Sequence, residues 1–485
     1  MVFSSLIFLY AFLPLSLLVY VLCKGREAKN MSLLVFSLIF YAWGEPKYVL
    51  LLMFMSLCSW FCALRVERAA SRKGKRAWVA VSCAIDIALI GFFKYAGLIC
   101  SVFGEVPEFI ANIALPIGIS FYTFQLLTYV VDVYRGDAEA QPSYLNVLLY
   151  ASLFHQCVAG PIVRYKTIAH ELFVQRDSRD LLSGISRFTV GLAKKTLLAN
   201  PCGALADQLL LSTDAASNAS LFAENLSTLS GLSALGAWVG VAAFMMQIYL
   251  DFSAYSDMAI GMGRMLGLHY LENFDYPYLS KTVTEFWRRW HISLGTFFRD
   301  YVYIPLGGRQ CSKARSVLNL FVVWALTGLW HGAHWNFVLW GLYFFVFILI
   351  ERLFLKRLFE RLHILPHIYL LFVVFVGWIL FHFTDVRLGW TVFLGLFGAN
   401  GNAASDFVSI TLLKNNVFLL AVSAIACTPL VKTMANGAGT RLRRSRSGER
   451  LFNLMAYIVF PIILLLLSTA SLVGDSYNPF IYFQF

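Results

Sequence analysis

The chain has 485 residues, 59% hydrophobic and 14% charged, with a mean hydropathy of +0.69. Too little charge remains to clothe a soluble surface of that size, which excludes a soluble multidomain protein. The apolar segments are continuous rather than alternating, which argues against a transmembrane β-barrel. The expected class is therefore an all-α polytopic membrane protein, because in lipid every backbone polar group must be satisfied within its own segment. The net charge of +12 gathers in short loops between apolar runs, the positive-inside pattern, and no nucleic-acid partner is expected. The nine cysteines are scattered without a Cys-x-x-Cys pair and read as small buried hydrophobes.

Residues 2–22 lack a positive leader region and a cleavage site and read as a retained first span. Lys24, Arg26 and Lys29 place the next loop inside and the N-terminus outside. Residues 31–43 and 48–64 are the next two runs, followed by Arg65, Arg68, Arg72, Lys73, Lys75 and Arg76, a second inside signal. Residues 77–103 return outward and carry Asp86 and Lys94 on roughly one helix face, which reads as an interhelical polar contact. Residues 114–131 form another run. Residues 144–158 run into His155-Gln-Cys-Val-Ala-Gly160-Pro161-Ile-Val-Arg164. Gly-Pro breaks a helix, and a broken helix at membrane depth is tolerated only where protein or a cavity surrounds it. A re-entrant element is expected there, with Arg164 near the cytoplasmic mouth.

Residues 181–198 end with Lys194 and Lys195, and residues 212–227 read as an outside loop. The run 229–250 leads into Asp251-Phe-Ser-Ala-Tyr255-Ser-Asp257, and with Arg264 these acids suggest a buried polar network. Ala259, Gly261 and Gly263 allow close helix packing. Residues 281–315 mix basic side chains with Phe286, Trp287, Trp290, Phe297 and Phe298, a pattern for amphipathic helices in the cytoplasmic interface. His291 lies among them and, by position alone, reads as solvated.

Between the apolar runs 317–326 and 337–350 stands Thr327-Gly-Leu-Trp-His331-Gly-Ala-His334-Trp-Asn336. An ionisable side chain at membrane depth costs a few kcal/mol unless it lines a polar cavity or has a partner, so His331 is read as functional. The alternative is a histidine hydrogen-bonded between helices. His331 and His334 share a helix face, but two ligands without a third make no metal site, and none is expected. Residues 351–361 are inside, 364–383 go out, 384–415 form an outside loop and 417–430 come in. Lys432 and the basic run 441–450 mark the inside, and 451–472 go out. The count is about eleven spans, plus re-entrant and interfacial pieces. They form a single membrane domain over 1–485 with a tail at 473–485 on the outer face.

Several long motifs stand in order: Asp251-Phe-Ser-Ala-Tyr-Ser-Asp257, Glu272-Asn-Phe-Asp-Tyr-Pro-Tyr278, Glu285-Phe-Trp-Arg-Arg-Trp-His291-Ile-Ser, Arg299-Asp-Tyr-Val-Tyr-Ile-Pro-Leu-Gly-Gly308 and Leu329-Trp-His331-Gly-Ala. Together they resemble the membrane-bound O-acyltransferase family, and within it the branch that acetylates bacterial surface polysaccharides such as alginate. The resemblance covers nearly the whole chain. It implies helices ringing a central funnel in the bacterial cytoplasmic membrane, with both termini outside. It also implies His331 as the general base, His291 as a second implicated histidine, and Asp251, Tyr255, Asp257, Arg289, Trp330 and Asn336 as supporting residues. No permanently bound cofactor is implied. The co-substrate is a cytoplasmic thioester, acetyl-CoA or an acylated carrier protein. The chain departs from its relatives at Phe344, where many carry a third histidine, and at His334, which is an addition.

The tail holds Phe480-x-Tyr482-x-x-Phe485, similar to the acyl-relay motif of the partner peptide in teichoic-acid D-alanylation. It implies that Tyr482 carries the acyl group and that an SGNH-type partner outside the membrane receives it. Gly474-Asp-Ser476 resembles an SGNH nucleophile block but lacks its Asp-x-x-His partner. The alternatives are D-alanyl or other acyl transfer to a cell-wall polymer, and a lipid or sugar transporter. The absence of repeated halves argues against the transporter.

Overall fold

The computed structural model describes residues 2–158, 160–174, 180–212, 215, 218–362 and 364–474. Among them every regular element is helical. Seven helices are long and apolar enough to cross a bilayer: Val49–Arg68, Arg72–Phe103, Ala234–Met265, Trp335–Leu355, Leu365–His382, Phe407–Ala426 and Arg446–Gly474. Other runs read as spans are shorter or more polar: Ile119–Arg135 has 17 residues, and Phe8–Leu22 counts as a short apolar helix. Apolar side chains face outward as well as inward. Phe418 is 79% exposed, untenable in water but ordinary where lipid tails are the solvent.

The chain divides into two compact units. The first comprises residues 1–192, 255–272 and 457–465. Its core holds a cluster of rings, with Phe8, Phe12, Phe40 and Phe154 all buried and in mutual contact. Small residues set the closest helix approach, as expected. A Cβ on Gly184 would lie 2.7 Å from the carbonyl oxygen of Gly261, and a Cβ on Gly261 would lie 2.7 Å from the backbone nitrogen of Phe188.

The break expected at Gly160-Pro161 is present but begins earlier, because the helix already ends at Ser152. Tyr144–Ser152 and Tyr165–Phe173 are joined by a mostly buried irregular stretch. Several of its polar groups are met from inside: Phe154 N–H donates to Ser37 Oγ at 3.1 Å, Tyr150 Oη to the Val163 carbonyl at 2.9 Å, and Gln156 Nε2 to the Tyr150 carbonyl at 2.6 Å. Gly118, at φ +75°, lies so close that an added Cβ would sit 2.4 Å from the Cys157 carbonyl oxygen. Lys94 reaches Ser120 Oγ at 3.4 Å, an interhelical contact of the kind expected, whereas buried Asp86 receives no hydrogen bond among the described residues.

The second unit comprises residues 193–254, 273–456 and 466–485. Its core is aromatic: Phe286, Trp290, Trp340, Phe344, Trp378 and Phe381 are all buried. Several segments depart from the sequence reading. The stretch expected as a loop over 384–415 contains the helix Val386–Gly395 and the start of Phe407–Ala426, while Ala219–Leu221 and Phe222–Ser230 are helical where a loop was expected. Lys195 does not end a span. It sits in the π-helical turn Lys194–Ala199 and pairs, buried, with Asp251 at 2.9 Å.

Removing one member of a buried ion pair strands the other charge, at a cost of about 3–5 kcal/mol, while replacing both with apolar groups is far less costly. Lys195→Met should therefore sharply lower the thermal midpoint of the detergent-purified protein. Lys195→Met combined with Asp251→Leu should restore most of it. Equal losses in single and double variants would show that the pair is not the source of the stability.

Candidate active site

His331 ends the helix Lys313–His331, and Trp335–Ile350 starts after a short turn at which His334 is the exposed N-cap. The two helices meet backbone to backbone. A Cβ on Gly328 would lie 2.4 Å from the Phe337 carbonyl oxygen, and one on Gly341 would lie 2.4 Å from that of Trp324. This approach folds the second helix back over His331. The imidazole is 5% exposed and stands edge-on to Trp330, Trp340 and Phe381, with ring centres at 4.9, 4.8 and 5.4 Å. Asn336 donates from Nδ2 to the Leu380 carbonyl at 3.2 Å, holding the end of Leu365–His382 and so the Phe381 wall. Phe344 is wholly buried against Trp287 and Trp340 at 4.9 and 5.2 Å.

His291 is not solvated. It is 1% exposed and sits between Val283–Arg289 and Ile292–Phe298 with a left-handed backbone, φ 45°. Asn273 Oδ1 accepts from the Ser293 backbone N–H at 3.1 Å and from Ser293 Oγ at 2.9 Å. A backbone N–H can only donate, so this atom is the amide oxygen. His291 Nδ1, at 3.2 Å from it, then carries the proton, leaving Nε2 as the basic nitrogen. Burial pushes the imidazole down to about 3, so it is neutral near pH 7. Its ring contacts Phe252 at 4.8 Å and Trp330 at 5.7 Å, so both histidines flank the same indole.

A cavity of about 1450 Å³ opens beside them. Its wall includes Trp287, Trp290, His291 and Thr327, one helical turn before His331; His331 itself is not part of that wall. Lys281, Arg288, Arg299, Arg309 and Arg352 also line it, against Glu285, Glu351 and Glu360. Glu351 is engaged. Its carboxylate accepts from the backbone N–H groups of Val283 at 2.6 Å and Thr284 at 3.2 Å, and from Thr284 Oγ1 at 3.3 Å. It thus caps the helix that carries Trp287 and leads to His291.

The other expected site residues are dispersed. Asp251 faces Lys195, and the next residue, Phe252, packs on His291. Arg289 turns to Glu285 at 2.8 Å and Asp275 at 3.9 Å, while its neighbour Arg288 lines the cavity. Tyr255 and Asp257 belong to the first unit, where Tyr255 stacks on Phe3 at 4.3 Å and Asp257 accepts from Arg187 Nε at 2.8 Å. Arg187 also makes a two-pronged contact with Glu272, at 3.1 and 2.6 Å. Tyr482 lies outside the described residues. The sequence reading missed Asn273 and Glu351. Asn273 stood inside a quoted motif, but Glu351 gave no signal beyond a charge at a span end.

A buried imidazole in an aromatic box, a second imidazole across the shared indole and a large cavity with basic lining thus lie together in the second unit. Residues 51–393 match the membrane-bound O-acyltransferase family, and the chain belongs to that family; it is a multi-pass membrane acyltransferase. The chain is 33% identical to the "Probable alginate O-acetylase AlgI" of Azotobacter vinelandii, with all of both chains covered. It is 29% identical to the peptidoglycan O-acetyltransferase of Helicobacter pylori, over 83% of this chain and 80% of the relative. Against the teichoic acid D-alanyltransferase of Bacillus subtilis it is 26% identical, over 48% of this chain and 58% of the relative.

Glu351→Ala leaves two helix N–H groups in the interior without their acceptor, at a cost of about 1–3 kcal/mol. Its thermal midpoint should drop measurably below that of Glu351→Gln, whose amide oxygen still accepts from one of the two. Identical midpoints would remove Glu351 from the support of this helix.

Proposed function

We propose that the protein moves an acetyl group from a cytoplasmic thioester across the bacterial cytoplasmic membrane for O-acetylation of an extracytoplasmic polysaccharide of the alginate kind. The observation that carries this reading is the buried His331 in its aromatic box, one helical turn from a cavity that also touches His291. A neutral imidazole in a dry site takes the proton of an acceptor hydroxyl as that oxygen attacks the thioester carbonyl. The tetrahedral intermediate then collapses, the carbon–sulfur bond breaks, and the leaving thiolate takes the proton back from the imidazolium. The products are an ester and a free thiol. His291, protonated at Nδ1 and neutral, presents a lone pair at Nε2 and serves to orient the site.

The donor is acetyl-CoA or an acylated carrier protein. The five basic side chains lining the cavity suit the phosphates that both donors carry. The first acceptor is the phenol of Tyr482. A phenol of pKa about 10 is a better leaving group than a sugar alcohol, so onward transfer to an SGNH-type partner and then to the polymer runs downhill. Both chain termini then lie on the outer face.

In proteoliposomes supplied with acetyl thioester, His331→Ala should lose roughly 10²-fold or more of the thioester turnover. Equal turnover in variant and wild type would instead favour a transporter. Mass spectrometry of the C-terminal peptide after incubation with labelled donor should find the acyl group on Tyr482, and Tyr482→Phe should abolish both label and polymer acetylation with expression unchanged. A labelled D-alanyl group in place of acetyl would move the protein to the teichoic-acid branch. Full polymer acetylation by Tyr482→Phe would remove the relay.

A further inference from the structure

Residues 427–454 form a helical hairpin that the acyl-transfer site does not use. Leu430–Leu442 follows the span Phe407–Ala426, and Arg446–Leu454 opens the long helix Arg446–Gly474. The turn between them is tight. Ser445 caps the second helix, accepting from Gly448 N–H at 3.1 Å, and a Cβ on Gly448 would fall 2.1 Å from the Leu442 carbonyl oxygen. Gly439 lets the Phe452 ring in so closely that a Cβ there would meet it at 2.8 Å, and the Arg443 guanidinium lies 4.6 Å from the same ring centre.

The hairpin is basic and uncovered. Lys432, Arg441, Arg443, Arg444, Arg446 and Arg450 stand against a single acid, Glu449, and all are exposed. Among the described residues none of the six basic groups has a carboxylate within ion-pair distance. The side-chain hydrogen bonds of the hairpin all stay within residues 425–454. Leu430, Val431, Met434, Leu451 and Leu454 are also exposed, Met434 by 66%. A helix as short as Leu430–Leu442, with 13 residues, does not hold itself in water. Mixed apolar and cationic faces at the ends of two spans match a segment lying in the membrane interface, with apolar stems in the acyl boundary and guanidinium groups at phosphate depth.

We propose that residues 430–454 bind the phosphate groups of anionic phospholipids, and that these lipids hold the hairpin in the interface. Five of the six basic residues are arginine, whose planar fork takes a phosphate by two parallel hydrogen bonds where lysine offers a point charge. An acidic carrier protein would also meet a basic face. It would leave the exposed apolar side chains at the span ends uncovered, and no residue of the hairpin lines the donor cavity.

The test is hydrogen exchange by mass spectrometry on the full chain in nanodiscs of phosphatidylcholine with and without phosphatidylglycerol. Peptides from 430–454 should gain protection only with phosphatidylglycerol, and lose that gain as salt is raised. Native mass spectrometry of the detergent-purified chain should show retained phosphatidylglycerol falling by about fivefold per arginine removed in R441Q, R443Q and R444Q combined. The matching triple lysine variant keeps the charge, and should retain an intermediate amount. Equal protection in both lipids, or equal lipid retention by wild type and the glutamine variant, overturns the proposal. So does lost binding of an acidic carrier protein by the glutamine variant while its lipid retention stays that of wild type.

Discussion

The structure depends on one constraint: in an interior without water, each polar group must be held by another part of the chain. The site of the second unit is built from contacts that meet this demand and, in doing so, aim an aromatic wall. Asn336 ties down the carbonyl of Leu380, and Phe381 closes on His331. Glu351 satisfies the start of Val283–Arg289, and Trp287 is set against Trp324 and Trp340. Asp251 takes up Lys195, and Phe252 is placed on His291. In each case a polar residue fixes the position of a ring that touches, or backs, an imidazole. The supporting acids and amides therefore stand away from the two imidazoles while still deciding where those rings sit.

Burial also differs among the spans. In the apolar stretch of Ala234–Met265, the helix that carries Asp251, Phe252, Tyr255 and Asp257, 72% is buried, whereas in those of Phe407–Ala426 and Arg446–Gly474 only 11% is. A helix surrounded by protein can hold buried acids against partners from neighbouring helices, as Asp251 is held by Lys195. The two lipid-facing helices bracket the basic hairpin. An element with few contacts to the rest of the chain needs something outside the chain to position it, and in a bilayer that role falls to the interface.

The sequence made several of these features legible because each leaves a local signature. Gly160-Pro161 breaks a helix wherever it falls, and the buried irregular stretch is there. Gly184 and Gly261 meet because only glycine permits backbone contact. His331 stood out as an ionisable group between apolar runs. What could not be read were partners distant in sequence. Glu351 looks like any charge at a span end until Val283 folds onto it, and Lys195 looks like a loop cation until Asp251 is beside it. Lys414, Asn415 and Asn416 interrupt the apolar pattern of Phe407–Ala426, which put the start of that span in an expected loop and left only the shorter run 417–430 to be read as crossing. His291 misled in the same way: its basic neighbours suggested solvent, but the ring turns inward from the chain that carries them.

That inward turn has a backbone cause. His291 adopts φ 45°, a region a non-glycine residue occupies at a cost of about 1–3 kcal/mol. The conformation persists because Asn273 straps the two residues that follow it. Its carbonyl accepts from Ile292 N–H at 2.9 Å, while its side-chain oxygen accepts from Ser293 N–H at 3.1 Å and stands 3.2 Å from His291 Nδ1. One residue thus offsets the strain, fixes the tautomer and sets the ring against Trp330. A histidine in relaxed helical backbone at this junction would continue the amphipathic pattern and face the interface. The strained turn instead brings it to the indole that His331 also touches, so the pairing of the two imidazoles depends on Asn273 as directly as on either histidine.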